Sequence, residues 1–68
     1  MSDHENDRHV LATAVRRELL RIAAREDALA AAEAASVPYW LPHPPTVQGH
    51  RTAAAALRSQ ANQLLSTS

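Results

Sequence analysis

Between Met1 and Val37 the chain contains neither glycine nor proline, and all four of its prolines then fall between Pro38 and Pro45. That break constrains the fold more than any other feature. Proline fixes its own φ, has no backbone N–H to donate, and pushes the residue before it out of the α region. A helix entering this stretch must end near Val37, and the next can begin only on its far side. The same nine residues, VPYWLPHPP, also hold the chain's one Tyr and one Trp.

On the N-terminal side Ala, Leu, Arg and Glu dominate, all strong helix formers. Ser2-Asp3-His4-Glu5 has the spacing of a capping box, and Asp3, Glu5 and Asp7 place negative charge where a helix dipole favours it. The pattern predicts one helix from about residue 3 to about residue 35, roughly 50 Å long at 1.5 Å per residue. Its apolar stripe is Leu11, Val15, Leu19, Ile22 and Leu29. Glu26 and Glu33 lie along its edge, and Leu20 points the other way.

The second segment is more regular. Val47, His50, Ala54, Leu57, Ala61 and Leu64 keep alternating steps of three and four, the spacing of a coiled-coil seam. Alanine at alternate seam positions permits a close helix approach. A helix from about residue 46 to about residue 65 follows, with Thr46 or His43 as its cap and a fraying tail at 66–68.

The expected fold is all-α: one domain over residues 1–68, an antiparallel two-helix hairpin with a proline-rich linker at 36–45. Two such stripes make a thin core for a chain of 68 residues. The hairpin is therefore expected to be completed by oligomerisation, for instance as a four-helix bundle of two copies, or by docking on a larger protein.

Composition narrows the function classes. Lys plus Arg equals Asp plus Glu at seven each, so no whole-chain field draws the molecule to nucleic acid or an anionic membrane. There is no cysteine to form a disulfide or a thiolate metal site. The opening MSDHENDRH is polar and acidic, unlike a secretory leader, and no run is apolar enough to span a bilayer. A cytoplasmic setting is expected.

No catalytic arrangement is present. There is no cysteine nucleophile, no G-x-S-x-G and no phosphate-cradling loop, since Gly49 is the only glycine. Neither an enzyme nor a cofactor is expected. His4 and His9 are five apart, on different helix faces, and Glu5 with His9 supplies only two ligands, so no metal site is expected either.

What remains points to protein–protein interaction. Trp and Tyr dominate binding hot spots, and flanking prolines lower the cost of ordering them. Tyr39, Trp40 and Leu41 are thus a candidate anchor, with a cap over the open hairpin end as the competing role. The Val47, His50, Ala54, Leu57, Ala61, Leu64 seam is the second candidate surface, for self-association or docking. The combination reads as a small subunit, adaptor or assembly factor. The alternative is a small nucleic-acid-associated regulator using the basic stripe Arg17, Arg21 and Arg25, which Glu18 interrupts, together with Arg16 off to its side.

Overall fold

A computed structural model describes the backbone of residues 2–67 and the side chains of residues 5–64. The described chain is all-helical. Helix α1 spans Ser2–Ala35 and helix α2 spans Pro45–Thr67, packed side by side as a hairpin of 60 × 15 × 11 Å. Its radius of gyration is 16.5 Å, against about 11 Å for a compact globule of this length. The Ser2 side chain of the capping box, Asp3 and His4, and the tail at 66–68 lie outside the side chains described.

α1 ends where the first proline requires it. The Ser36 amide donates to both the Ala32 and the Glu33 carbonyls at 3.2 Å, and the Ser36 hydroxyl donates to the Glu33 carbonyl at 2.7 Å. Val37 makes the last bond of this run, to Ala34 at 3.3 Å, before Pro38. A β-turn follows, closed by the Leu41 amide on the Pro38 carbonyl at 3.0 Å. Tyr39 and Trp40 occupy its two central positions. Among the described residues no non-glycine φ is positive, so the turn takes a form that suits bulky L-residues.

α2 then starts on Pro45, where a missing N–H costs nothing because the first amides of a helix are unpaired anyway. The Pro44 carbonyl accepts from the Val47 amide at 3.0 Å. Thr46, expected as a cap, lies within the helix and sends its hydroxyl to the Glu33 carboxylate on α1 instead.

The core is mostly alanine. Ala23 and Ala30 of α1 and Val47, Ala54 and Ala61 of α2 are buried, each set spaced by seven. Methyl groups at these contacts let the helix backbones approach closely, so backbone packing substitutes for the missing large side chains. Ion pairs and grooves set the register: Glu33 lies beside Thr46, Glu26 beside His50, and Leu19 and Val15 beside Gln60 and Leu64. By that register the first turns of α1 run on past the end of α2, as the unequal helix lengths require.

The α2 seam faces α1 as its spacing predicts. The α1 contact face differs from the stripe drawn through its largest residues. Leu11, Val15 and Leu29 are 65%, 41% and 42% exposed, and Leu19 and Ile22 are half-buried. Leu20, expected on the opposite side, is half-buried at the other flank of the contact. At 100° per residue, Leu11, Val15, Ile22 and Leu29 lie roughly 80–120° from Ala23. The close approach selects the alanines, because a leucine in the seam would hold the axes apart and pull Glu26 away from His50.

Gly49 lies inside α2, and a β-carbon built on it would meet nothing within 4 Å. Nothing there requires glycine. Gly49→Ala should therefore raise stability by about 0.5–1 kcal/mol through helix propensity and reduced freedom of the unfolded chain. Thermal unfolding followed by circular dichroism checks this; a lowered midpoint would mean that the backbone at Gly49 meets a neighbour.

Candidate interaction surfaces

The tip of the hairpin is the most exposed apolar group of the described chain. Tyr39 is 94% exposed, Trp40 70% and Leu41 50%. The two rings meet edge to face, with centroids 5.1 Å apart and planes at 85°, a geometry the aromatic quadrupole favours. The closed turn below and Pro38 and Pro42 on either side restrict the backbone. The aromatic pair is thus held out from the helices on a stiff support, at the end of the molecule.

The α2 seam is occupied within the hairpin. Val47, Ala54 and Ala61 are buried against α1, while His50, Leu57 and Leu64 are half-buried along one edge of the contact. His50 sits between two carboxylates of α1. Its Nδ1 is 2.5 Å from Glu26 Oε2 and its Nε2 is 3.8 Å from Glu33 Oε2. Glu33 also accepts the Thr46 hydroxyl. On the other edge, Arg58 of α2 pairs with Asp27 of α1. Both imidazole nitrogens face carboxylates, so the cluster joins the helices. Among the described residues no group of three or more His, Asp or Glu side chains is arranged to hold a metal ion.

Sequence reading placed Glu26 and Glu33 only at the edge of a stripe and gave Asp27 and Arg58 no role. A signal was present. Ala23, Glu26, Ala30 and Glu33 step by three, four and three, in phase with the alanines that form the contact.

The arginines of α1 do not form one surface. Arg21 bonds Glu18, with Nε 3.0 Å from Oε2 and a second, parallel contact through Nη2. This hydrogen bond, aided by the charge of Arg21, holds the Glu18 carboxyl below the usual carboxylate range and raises Arg21. Any stability from the lowered Glu18 is present above its unfolded value and lost as pH falls through the folded one. Both groups are fully exposed, so solvent screens the pair. Arg17 and Arg25 are exposed, whereas Arg16 is half-buried with its Nε enclosed. No helix among the described residues is long and apolar enough to cross a membrane.

Comparison with protein-family models, with curated proteins and with solved structures finds no match to this chain.

Proposed function

We propose that the chain is a non-enzymatic protein–protein interaction module, a small subunit, adaptor or assembly factor of the cytoplasm. Its working end is the Tyr39-Trp40-Leu41 turn. The observation that carries the reading is the 70% exposure of Trp40 on a closed, proline-flanked turn. A large ring left in water contributes nothing to the fold, yet supplies much binding energy when a partner's apolar pocket covers it. Restricted backbone freedom keeps the ordering cost of that step low. The partner is a protein with an apolar pocket wide enough for an aromatic pair.

Trp40 serves as its own reporter, being the only tryptophan. Its emission in the isolated protein should be red-shifted and open to soluble quenchers, and Trp40→Ala should shift stability by less than about 0.5 kcal/mol. A photo-crosslinking residue at Tyr39 in cells of the source organism should then capture a defined protein, and Trp40→Ala should abolish the capture. Blue-shifted, protected emission, or a large loss of stability on truncation, would make the turn a cap over the hairpin end and sink the reading. The nucleic-acid reading through Arg16, Arg17, Arg21 and Arg25 has a separate signature, duplex binding that weakens steeply with salt. The Glu18–Arg21 pair and the half-buried Arg16 weigh against it.

A further inference from the structure

Most of the large apolar residues that the helix contact leaves out fall on one broad face of the hairpin; Val10 and Leu20 do not. On α1, Leu11, Val15, Ile22 and Leu29 form a line beside the seam. On α2, Leu57 and Leu64 flank the seam on the same side, because the helices run antiparallel and their angular senses reverse. An open groove lined by Val15, Leu19, Gln60, Gln63 and Leu64 joins the two lines. The opposite face carries the Asp27–Arg58 pair and Arg51, with Leu20 as its large apolar residue. The molecule is thus two-sided: one side carries these apolar residues, with the Glu26–His50–Glu33 cluster among them toward the tip, and the other carries the Asp27–Arg58 pair.

The accessible area shows how much is uncovered. The chain exposes 5276 Å², whereas a compact monomer of 7.4 kDa exposes roughly 4,200 Å². The excess is about 1,000 Å² over the whole elongated molecule, tip and overhanging turns of α1 included, and a stable interface of ordinary size covers roughly 800 Å² of each partner. Charge does not oppose pairing of like chains, since the formal net charge is zero.

We infer that this face takes a second copy of the chain, giving a two-fold dimer of hairpins in which the paired faces form the core of a four-helix bundle. This deepens the interaction reading by assigning a partner to a surface other than the tip. The two-fold arrangement sets one apolar line against its copy, closes the assembly at two, covers a Glu26–His50–Glu33 cluster already paired within each hairpin, and leaves the Asp27–Arg58 faces in water. Both Tyr39-Trp40-Leu41 turns stay free at the ends of the bundle.

The test is sedimentation equilibrium of the full chain between about 1 and 500 µM, with thermal unfolding at each concentration. The expected mass is twice 7.4 kDa, with a melting temperature that rises with concentration. Val15→Glu combined with Leu29→Glu should weaken association by roughly tenfold or more, because each copy would bury unpaired carboxylates. Trp40→Ala should leave the mass doubled. If the double variant is unfolded at every concentration, spin labels decide the matter, since the chain has no cysteine of its own. A label on Val15→Cys should be immobilised and broadened by its copy, and one on Arg51→Cys should move freely. A monomer at all concentrations with a constant melting temperature overturns the inference and leaves the face to a different partner. A dimer that survives the double variant but is lost with Trp40→Ala overturns it too, and moves self-association to the tip.

Discussion

Ala54→Leu should cost the hairpin about 3 kcal/mol, enough to abolish a cooperative thermal transition in a core this small. Ala54 is fully buried, and so are Ala23 and Ala61, with Ala30 at 1%. Leucine adds three carbon atoms at a point where neither helix has room to receive them. The helices could separate to admit the side chain, but that separation would loosen the Glu26–His50 and Glu33–Thr46 contacts together. Ala55→Leu is the matched control, because Ala55 is exposed on the same helix and should change stability by only a few tenths of a kcal/mol. Both variants are compared with the parent at one protein concentration by urea unfolding, so that self-association enters equally. An unchanged midpoint for Ala54→Leu would mean that the helices do not approach at methyl distance.

The same alanines explain where the sequence was legible and where it was not. The inner helix limits followed from proline, about 35 against Ala35 and about 46 against Pro45; the outer ones, about 3 and about 65, rested on the capping box and an expected fraying tail, and α2 runs on to Thr67. One residue type removes a donor and fixes a dihedral, so its effect is local and readable. The α2 seam was legible because large and small residues alternate on one strict spacing. The α1 contact face was not, because its contact residues are the least distinctive in the chain. Alanine is the commonest filler of an exposed helix as well as the best residue for close packing, and α1 has many. Leu11, Val15 and Leu29 form the more obvious stripe, yet the fold leaves them 65%, 41% and 42% exposed. Only the partner helix decides between those two faces, and periodicity within α1 does not contain that information.

The turn was legible in part. Pro38 and Pro42 mark it as irregular and stiff, but composition left Trp40 either folded over the helix ends or held out in water. The bond from Leu41 to Pro38 resolves the geometry. It closes the backbone at a point where Tyr39 and Trp40 are the outer two residues, and the rings then lie against each other at the tip. Four-residue closure is a cooperative result of local sterics and hydrogen bonding, and no single residue in the stretch announces it.

His50→Ala should destabilise the hairpin by about 1–3 kcal/mol, because it leaves Glu26 and Glu33 as half-buried carboxylates without the imidazole between them. The three side chains are 30%, 25% and 29% exposed, too shielded for water to replace the lost partner fully. Replacing all three by leucine should have the opposite effect and raise the melting temperature, since an apolar cluster of similar volume avoids the desolvation of the charged groups. The larger consequence lies in uniqueness. The buried contacts recur every seven residues on both helices, so a slide of one heptad, roughly 10 Å, still sets small residues against small residues. The nine residues from Ser36 to Pro44 can span up to roughly 30 Å and do not forbid it. Glu26, His50 and Glu33 disfavour it: the two carboxylates are seven apart, so after such a slide His50 would keep only one of them, and the three meet together in one register alone. The triple leucine variant should therefore melt higher yet give doubled or broadened amide resonances, while the parent gives one sharp set. A triple variant less stable than the parent, or one that keeps a single set of resonances with the parent's interhelical contacts, would show that the alanines and the turn specify the register unaided.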